Sequence, residues 1–263
     1  MVFTSKFQYS HRSWQIWQYW SLPVILVVVW QGLFQVGWIK AMTLPPPTMI
    51  MNTFWSLLIS GELLRHIAIS LLRVMEGFIL ASLVAVVLGI GIGMNEGWNR
   101  RSDLIIQVLK PIPPIAWIPL AILWLGIDES SKIFIIFLGT FFPVLVNVVD
   151  GVRSTDNKLV EVARILETSN RDLIFKVVFP STLPYIMTGL RVGLGVAWMC
   201  VVAAELIAAS SGIGYLIMDA RQLSQADVVL VGMLTIGIVG KLMDSFLFKV
   251  EKRLIKWKID FNA

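Results

Sequence analysis

Apolar residues along this chain of 263 residues gather into long runs separated by short polar stretches. A helix needs roughly 17 to 25 such residues to cross about 30 Å of hydrocarbon. Six runs qualify: residues 22–39, 76–94, 104–125, 132–149, 186–209 and 228–250. The pattern therefore predicts an all-α polytopic membrane protein with about six transmembrane helices. Between the first two runs, Trp55, Leu58, Ile59, Leu63, Leu64, Ile67 and Leu71 recur at helical spacing after a proline turn, which predicts an interfacial helix within segment 41–75 that leads into the second span. The third run is interrupted by Lys110-Pro111-Ile112-Pro113-Pro114 and by Pro119. Proline strands backbone carbonyls, so this stretch should face protein or a pathway instead of lipid.

A second kind of periodicity occurs in the long polar segment 150–185. From Lys158 to Leu166 the residues Leu159, Val162, Ala163 and Leu166 form an apolar stripe, with Glu161 and Arg164 elsewhere on the cylinder. The stripe requires a partner, either a docking surface or the bilayer. Ser169 or Asn170 then caps a second helix, expected to end before Pro180.

Composition agrees with lipid as the solvent. The chain is 57% hydrophobic and 15% charged, against roughly 25% charged residues in soluble domains. Cys200, the single cysteine, lies in an apolar run and says nothing about redox compartment. The net charge of +5 is distributed unevenly. With the N-terminus inside, fourteen Lys and Arg residues fall on the inner side and five (Lys40, Arg65, Arg73, Lys132, Arg221) on the outer side, so both termini are expected in the cytoplasm. Segment 1–21 is then a cytoplasmic lead, 22–250 the transmembrane domain and 251–263 a cytoplasmic tail. Trp14, Trp17, Trp20, Trp38, Trp98 and Trp257 fall near span ends, where aromatic belts form.

The residue pattern holds no catalytic, cofactor-binding or metal-binding constellation. His66 and His11 lack companions at ligand spacing and read as structural residues. Gly240-Lys241 is not a nucleotide loop, because Thr235 and Leu242 stand where glycine and a hydroxyl are needed. Arg191, Trp198 and Glu205 lie in the fifth run; Arg191 and Glu205 sit near its ends, as snorkelling or ion-paired groups would. Its Gly189, Gly193, Gly195, Ala197, Ala203 and Ala204 permit close helix approach, which suits a seam between two copies of the chain. Lys241 and Asp244 read as an i,i+3 pair.

The segment around Glu161-Val-Ala163, with an apolar-x-Pro ending at Pro180, resembles the coupling loop of bacterial ABC importer permeases. Further stretches resemble the permeases of the nitrate, sulfonate, taurine and bicarbonate group: Lys110-Pro-Ile-Pro-Pro-Ile-Ala-Trp-Ile-Pro119, Ser70-Leu-Leu-Arg73, Val202-Ala-Ala-Glu205 and Ser211-Gly-Ile-Gly-Tyr-Leu216. Within that group Ser60-Gly-Glu62, Gly126-Ile-Asp-Glu129 and Gly240-Lys241-Leu242 are most similar to the aliphatic sulfonate permease. The resemblance implies a type I ABC importer permease fold in the bacterial inner membrane, working as a homodimer with two cytoplasmic ATPases that bind ATP and Mg, and with an extracytoplasmic binding protein. It implies an aliphatic sulfonate or taurine as cargo, with nitrate or bicarbonate as alternatives. It assigns coupling to Leu159, Glu161, Val162, Ala163, Arg164, Leu166, Glu167, Ser169, Pro180 and Pro184. Thr140, Asn147, Arg191, Trp198, Met199 and Glu205 are candidate path residues. Glu167 stands where the family pattern has glycine, and a positive φ there costs glutamate on the order of 1 kcal/mol. Whether Glu167 alters the turn is open from the sequence. From the residues alone, an ion-coupled secondary transporter is the rival class; it would show a matching broken span in the other half of the chain and more intramembrane carboxylates than are found.

Overall fold

The computed structural model describes residues 5–255, with side chains from residue 20 onward apart from that of residue 157. Lys256, Trp257 and Lys258 of the expected inner tail lie outside the described residues, as do the side chains of Lys6, His11, Arg12, Trp14 and Trp17. All regular structure among the described residues is helical: α1 (Ser5–Gln35), α2 (Pro47–Ile59), α3 (Glu62–Met94), α4 (Glu96–Leu109), a 3₁₀ turn (Pro114–Trp117), α5 (Ile118–Leu125), α6 (Glu129–Arg153), α7 (Asn157–Ile165), α8 (Asn170–Leu173), a π-helical turn (Ile174–Val178), α9 (Phe179–Ala208), α10 (Ile213–Gln222) and α11 (Ala226–Leu254).

Among the described residues, four helices are long and apolar enough to cross a membrane: Glu62–Met94, Glu129–Arg153, Asn170–Ala208 and Ala226–Leu254. A fifth crossing arises if α4 and the Pro114–Leu125 helix form one broken span, bent by 83°. The first expected span corresponds to α1, whose described apolar part, Trp20–Gln35, is shorter than the four crossing helices. The expected interfacial helix divides at Gly61, where φ is +76°. Its first part is α2, and its second part is the beginning of α3 itself.

The described residues pack as two compact units, residues 5–62 with 217–233 and residues 63–216 with 234–255. In the first, the Thr53 hydroxyl donates to Asp227 at 2.6 Å, and Gly232 lies so close to Ile217 that an added Cβ would overlap its side chain. In the second, α3 and α9 both press against α6. Gly77, Gly89 and Gly93 admit Ile136, Val148 and Val152, while Gly189 and Gly193 meet Asn147, Val144 and Thr140. The seam expected between two copies is thus corrected for Gly189, Gly193, Ala197 and Ala204. These small residues are consumed by packing within one chain, where the two alanines are also buried.

Candidate coupling surface and translocation path

The helix expected at 158–166 is α7. It begins at Asp156, whose carboxylate accepts the Lys158 N–H at 2.9 Å and so satisfies one of the free donors of the first turn. Val160 and Ala163 turn inward and pack with Leu173, Val178, Val149 and Val152. Leu159, Val162, Ile165 and Leu166 point outward, with Ile165 79% and Leu166 72% exposed. Ala163 therefore belongs to the anchoring side of the helix, not to the open stripe on which the sequence places it. Ile165, absent from the expected set, is the most exposed apolar residue of the open face. Glu161, Arg164, Glu167 and Ser169 are exposed around it.

The turn after α7 is built as glycine would build it. Glu167 adopts φ +49°, the Thr168 N–H reaches the Ala163 carbonyl at 3.0 Å and the Glu167 N–H reaches Arg164 at 3.0 Å. These two bonds are the helix-ending arrangement in which a left-handed residue satisfies the last carbonyls. Glu167 thus does not alter the turn: a strain on the order of 1 kcal/mol is offset by two hydrogen bonds worth about 1 kcal/mol each. The same device closes α10, where Ser224 has φ +58° and the Gln225 N–H bonds to Ala220 at 2.8 Å.

Ser169 caps the following helix through the Asp172 N–H at 3.2 Å, as expected. That helix does not end before Pro180. It passes through the π turn and continues as one apolar helix, Asn170–Ala208. The reason lies in the π register: the Phe179 N–H bonds five residues back, to Ile174, and Pro180 follows in the first turn of α9, where its missing N–H is tolerated. Pro184 lies inside α9 one turn later, and the Thr182 hydroxyl bonds the Val178 carbonyl at 2.8 Å.

The path candidates are engaged in different ways. Thr140 is fully buried and returns its hydroxyl to the Ile136 carbonyl at 3.0 Å, and Asn147 donates to Pro143 at 2.8 Å. Trp198 is buried and its indole N–H meets the Ile236 carbonyl at 3.0 Å. Met199 is exposed. Arg191 pairs with Asp244 at 3.0 Å and Glu251 at 3.3 Å, with its guanidinium 5.0 Å from the Phe248 ring centre. Asp244 has Arg191 as its near partner, and Lys241 stands at 3.8 Å.

Glu205 is the centre of a buried polar cluster that draws together motifs separated in sequence. Its carboxylate accepts from the Ser70 hydroxyl at 2.8 and 2.9 Å, the Arg73 guanidinium at 2.8 Å and the Gly214 N–H at 2.9 Å. Arg73 also grips Glu129 through two bonds of 2.6 and 2.7 Å and donates to the Ser211 carbonyl at 2.7 Å. Lys132 pairs with Glu129 at 3.0 Å, which balances two cations against two carboxylates. His66 fixes the same turn, its Nδ1 accepting the Gly212 N–H at 3.0 Å, in line with the structural role expected of it. Glycine is required at position 212, since φ is +110° and a Cβ would lie 2.3 Å from the Glu205 carboxyl. Sequence reading missed Ser70 and Arg73 as partners of Glu205, and Glu129 and Ser211 as partners of Arg73. Their signal was the polar i,i+4,i+7 series His66, Ser70 and Arg73 on an apolar helix.

Comparison with known proteins gives this geometry a family. Residues 77–256 match the family of binding-protein-dependent transport system inner membrane components. The chain is 44% identical over 246 residues to SsuC of Bacillus subtilis (strain 168), a permease named for aliphatic sulfonates transport, covering 92% of this chain and 88% of that one. It is 35% identical to the taurine transport system permease protein TauC of Escherichia coli (strain K12), covering 89% and 86%. Identity to the nitrate import permease protein NrtB of Synechocystis is also 35%, covering 88% and 86%. The fold is similar to a chain of the MetNI methionine ABC transporter in inward-facing conformations, with a TM-score of 0.59 and 16% identity, covering 70% of this chain and 94% of that one. This chain belongs to the binding-protein-dependent transport system inner membrane component family and is a permease subunit of an ABC importer.

Proposed function

We propose that two copies of this chain, with both termini in the cytoplasm, form the membrane path for a small organic anion, an aliphatic sulfonate or taurine. Two ATPases that carry ATP and Mg engage α7 from inside, and a binding protein delivers the anion outside. The observation that carries the reading is the outward apolar face of α7, Leu159, Val162, Ile165 and Leu166, left open on a helix anchored from behind by Val160 and Ala163. Glu161 and Arg164 border that face and orient the partner. Pro180 and Pro184 stiffen the link from loop to span. The names of the relatives support the choice of cargo, with sulfonate at 44% identity and nitrate at 35% as the second reading. We assign Thr140, Asn147, Arg191, Trp198 and Glu205 to the framework of the path, since each spends its polar group on a protein partner.

The test is ATP-driven uptake in vesicles that contain the permease, ATPase and binding protein. Alkanesulfonate or taurine uptake should require all three components. Ile165→Glu and Glu161→Ala should lower it about tenfold, the scale of losing one central contact, while membrane insertion is unchanged. Wild-type uptake by both variants would remove α7 from coupling, and uptake confined to nitrate would move the cargo to the second reading.

A further inference from the structure

At the 83° bend between α4 and the Pro114–Leu125 helix lies a cleft of about 230 Å³, several times the roughly 30 Å³ that a water molecule occupies. Lys110, Ile112 and Trp117 line it from the break, Leu138 and Phe142 from α6, and Val196 from α9. Among its lining residues Lys110 is the only charged group; the rest are apolar, aromatic, glycine or proline.

Lys110 is the one cation that lines the cleft, and it lacks the carboxylate partner that four cations of the crossing helices have. Arg73, Lys132, Arg191 and Lys241 each have a carboxylate within 4 Å. Among the described residues Lys110 has none. It stands at the C-cap of α4, where the helix carbonyls stabilise a cation, so its charge is supported without being neutralised. With α4 and the Pro114–Leu125 helix as one broken span, Lys110 lies inside it, and an ionisable group there with no counter-ion marks a substrate or ion route. Irregular backbone at membrane depth is tolerated where it lines a cavity, and the proline break supplies it.

We propose that Lys110 is the anion-binding group of a transient site at this bend, holding the sulfonate head of a short alkanesulfonate while Trp117, Phe142 and Val196 cover its hydrocarbon chain. The proposal rests on the functional reading above and names the site within it. A single cation without a second charged group beside it holds the anion weakly enough for release, as conduction requires. The apolar walls give a chain-bearing anion contacts that nitrate lacks, so the site ranks butanesulfonate above nitrate and above taurine, whose ammonium would be desolvated against the aromatic rings.

Uptake of butanesulfonate, taurine and nitrate is measured with the complete complex in vesicles, alongside ATPase stimulation by the binding protein and assembly by size-exclusion chromatography. Lys110→Gln should lower butanesulfonate uptake at subsaturating concentration about tenfold, with assembly and ATPase stimulation retained, and Lys110→Arg should restore most of it. Leu138→Phe, which narrows the cleft, should shift preference from butanesulfonate toward ethanesulfonate. Unchanged butanesulfonate uptake in Lys110→Gln, or equal loss in the Gln and Arg variants with intact assembly, overturns the site and leaves the permease reading standing. An unchanged chain-length order in Leu138→Phe overturns the placement of the hydrocarbon chain. If the wild-type complex takes up none of the anions, the functional reading fails and the site with it.

Discussion

Glu205 shows how one residue can hold an ion pair inside an apolar helix without serving as a relay. Its carboxylate accepts from a guanidinium, a hydroxyl and a backbone N–H, so charge and lone pairs are both satisfied, the condition under which buried ions are tolerated. Glu205→Ala leaves Ser70 and the Gly214 N–H without their acceptor and Arg73 with Glu129 as its one carboxylate, beside Ser211. A loss of about 3 kcal/mol, the lower end for breaking a buried pair, is expected. Glu205→Gln keeps an acceptor and should lose less, and thermal unfolding in detergent should rank wild type above Gln above Ala. Glu167 presents the opposite case, a residue with a local penalty. Because its φ is +49°, Glu167→Gly should stabilise the end of α7 by up to about 1 kcal/mol. Slower amide hydrogen exchange at Glu167 and Thr168 would register it; exchange that is equal or faster would mean that the turn carries no strain.

At the scale of elements, the crossing helices from α3 onward, the break at Lys110–Pro114 and the bounds of α7 were legible, because length in lipid and a 3.6-residue period are direct physical demands. Three readings failed for reasons that periodicity does not contain. Two apolar arcs share α7, Val160 with Ala163 and Leu159 with Val162, Ile165 and Leu166, and the pattern cannot say which arc meets the protein. Pro180 looked like a terminator because the π turn that precedes it has no sequence signature in Ile174–Val178. The glycines of α9 announced a close approach without naming α6 as the neighbour. The cluster around Glu205 was present only as separate motifs, and the partners stand 132 and 135 residues away in sequence. In contrast, α7 as a docking element was readable, though not which of its faces is open, because an amphipathic helix outside the apolar runs has few other uses.

For the whole molecule, the proposed topology with both termini in the cytoplasm rests on charge distribution. Fourteen cations on one side against five on the other predict that reporters fused to either terminus will report the cytoplasm; a reporter active outside would reverse the assignment and place α7 on the wrong side for an ATPase. The continuity of Asn170–Ala208 has a mechanical meaning on this scale. Its 39 residues make a rod of roughly 58 Å, nearly twice the hydrocarbon thickness of about 30 Å. It starts just after the α7 turn and carries Glu205 near its far end. In the proposed coupling such a rod would work as a lever, a sideways push near its inner end swinging the outer end the other way about its contact with α6. The π turn would then be where the lever flexes, and its compliance would set how much of a stroke delivered at α7 arrives at the Glu205 end.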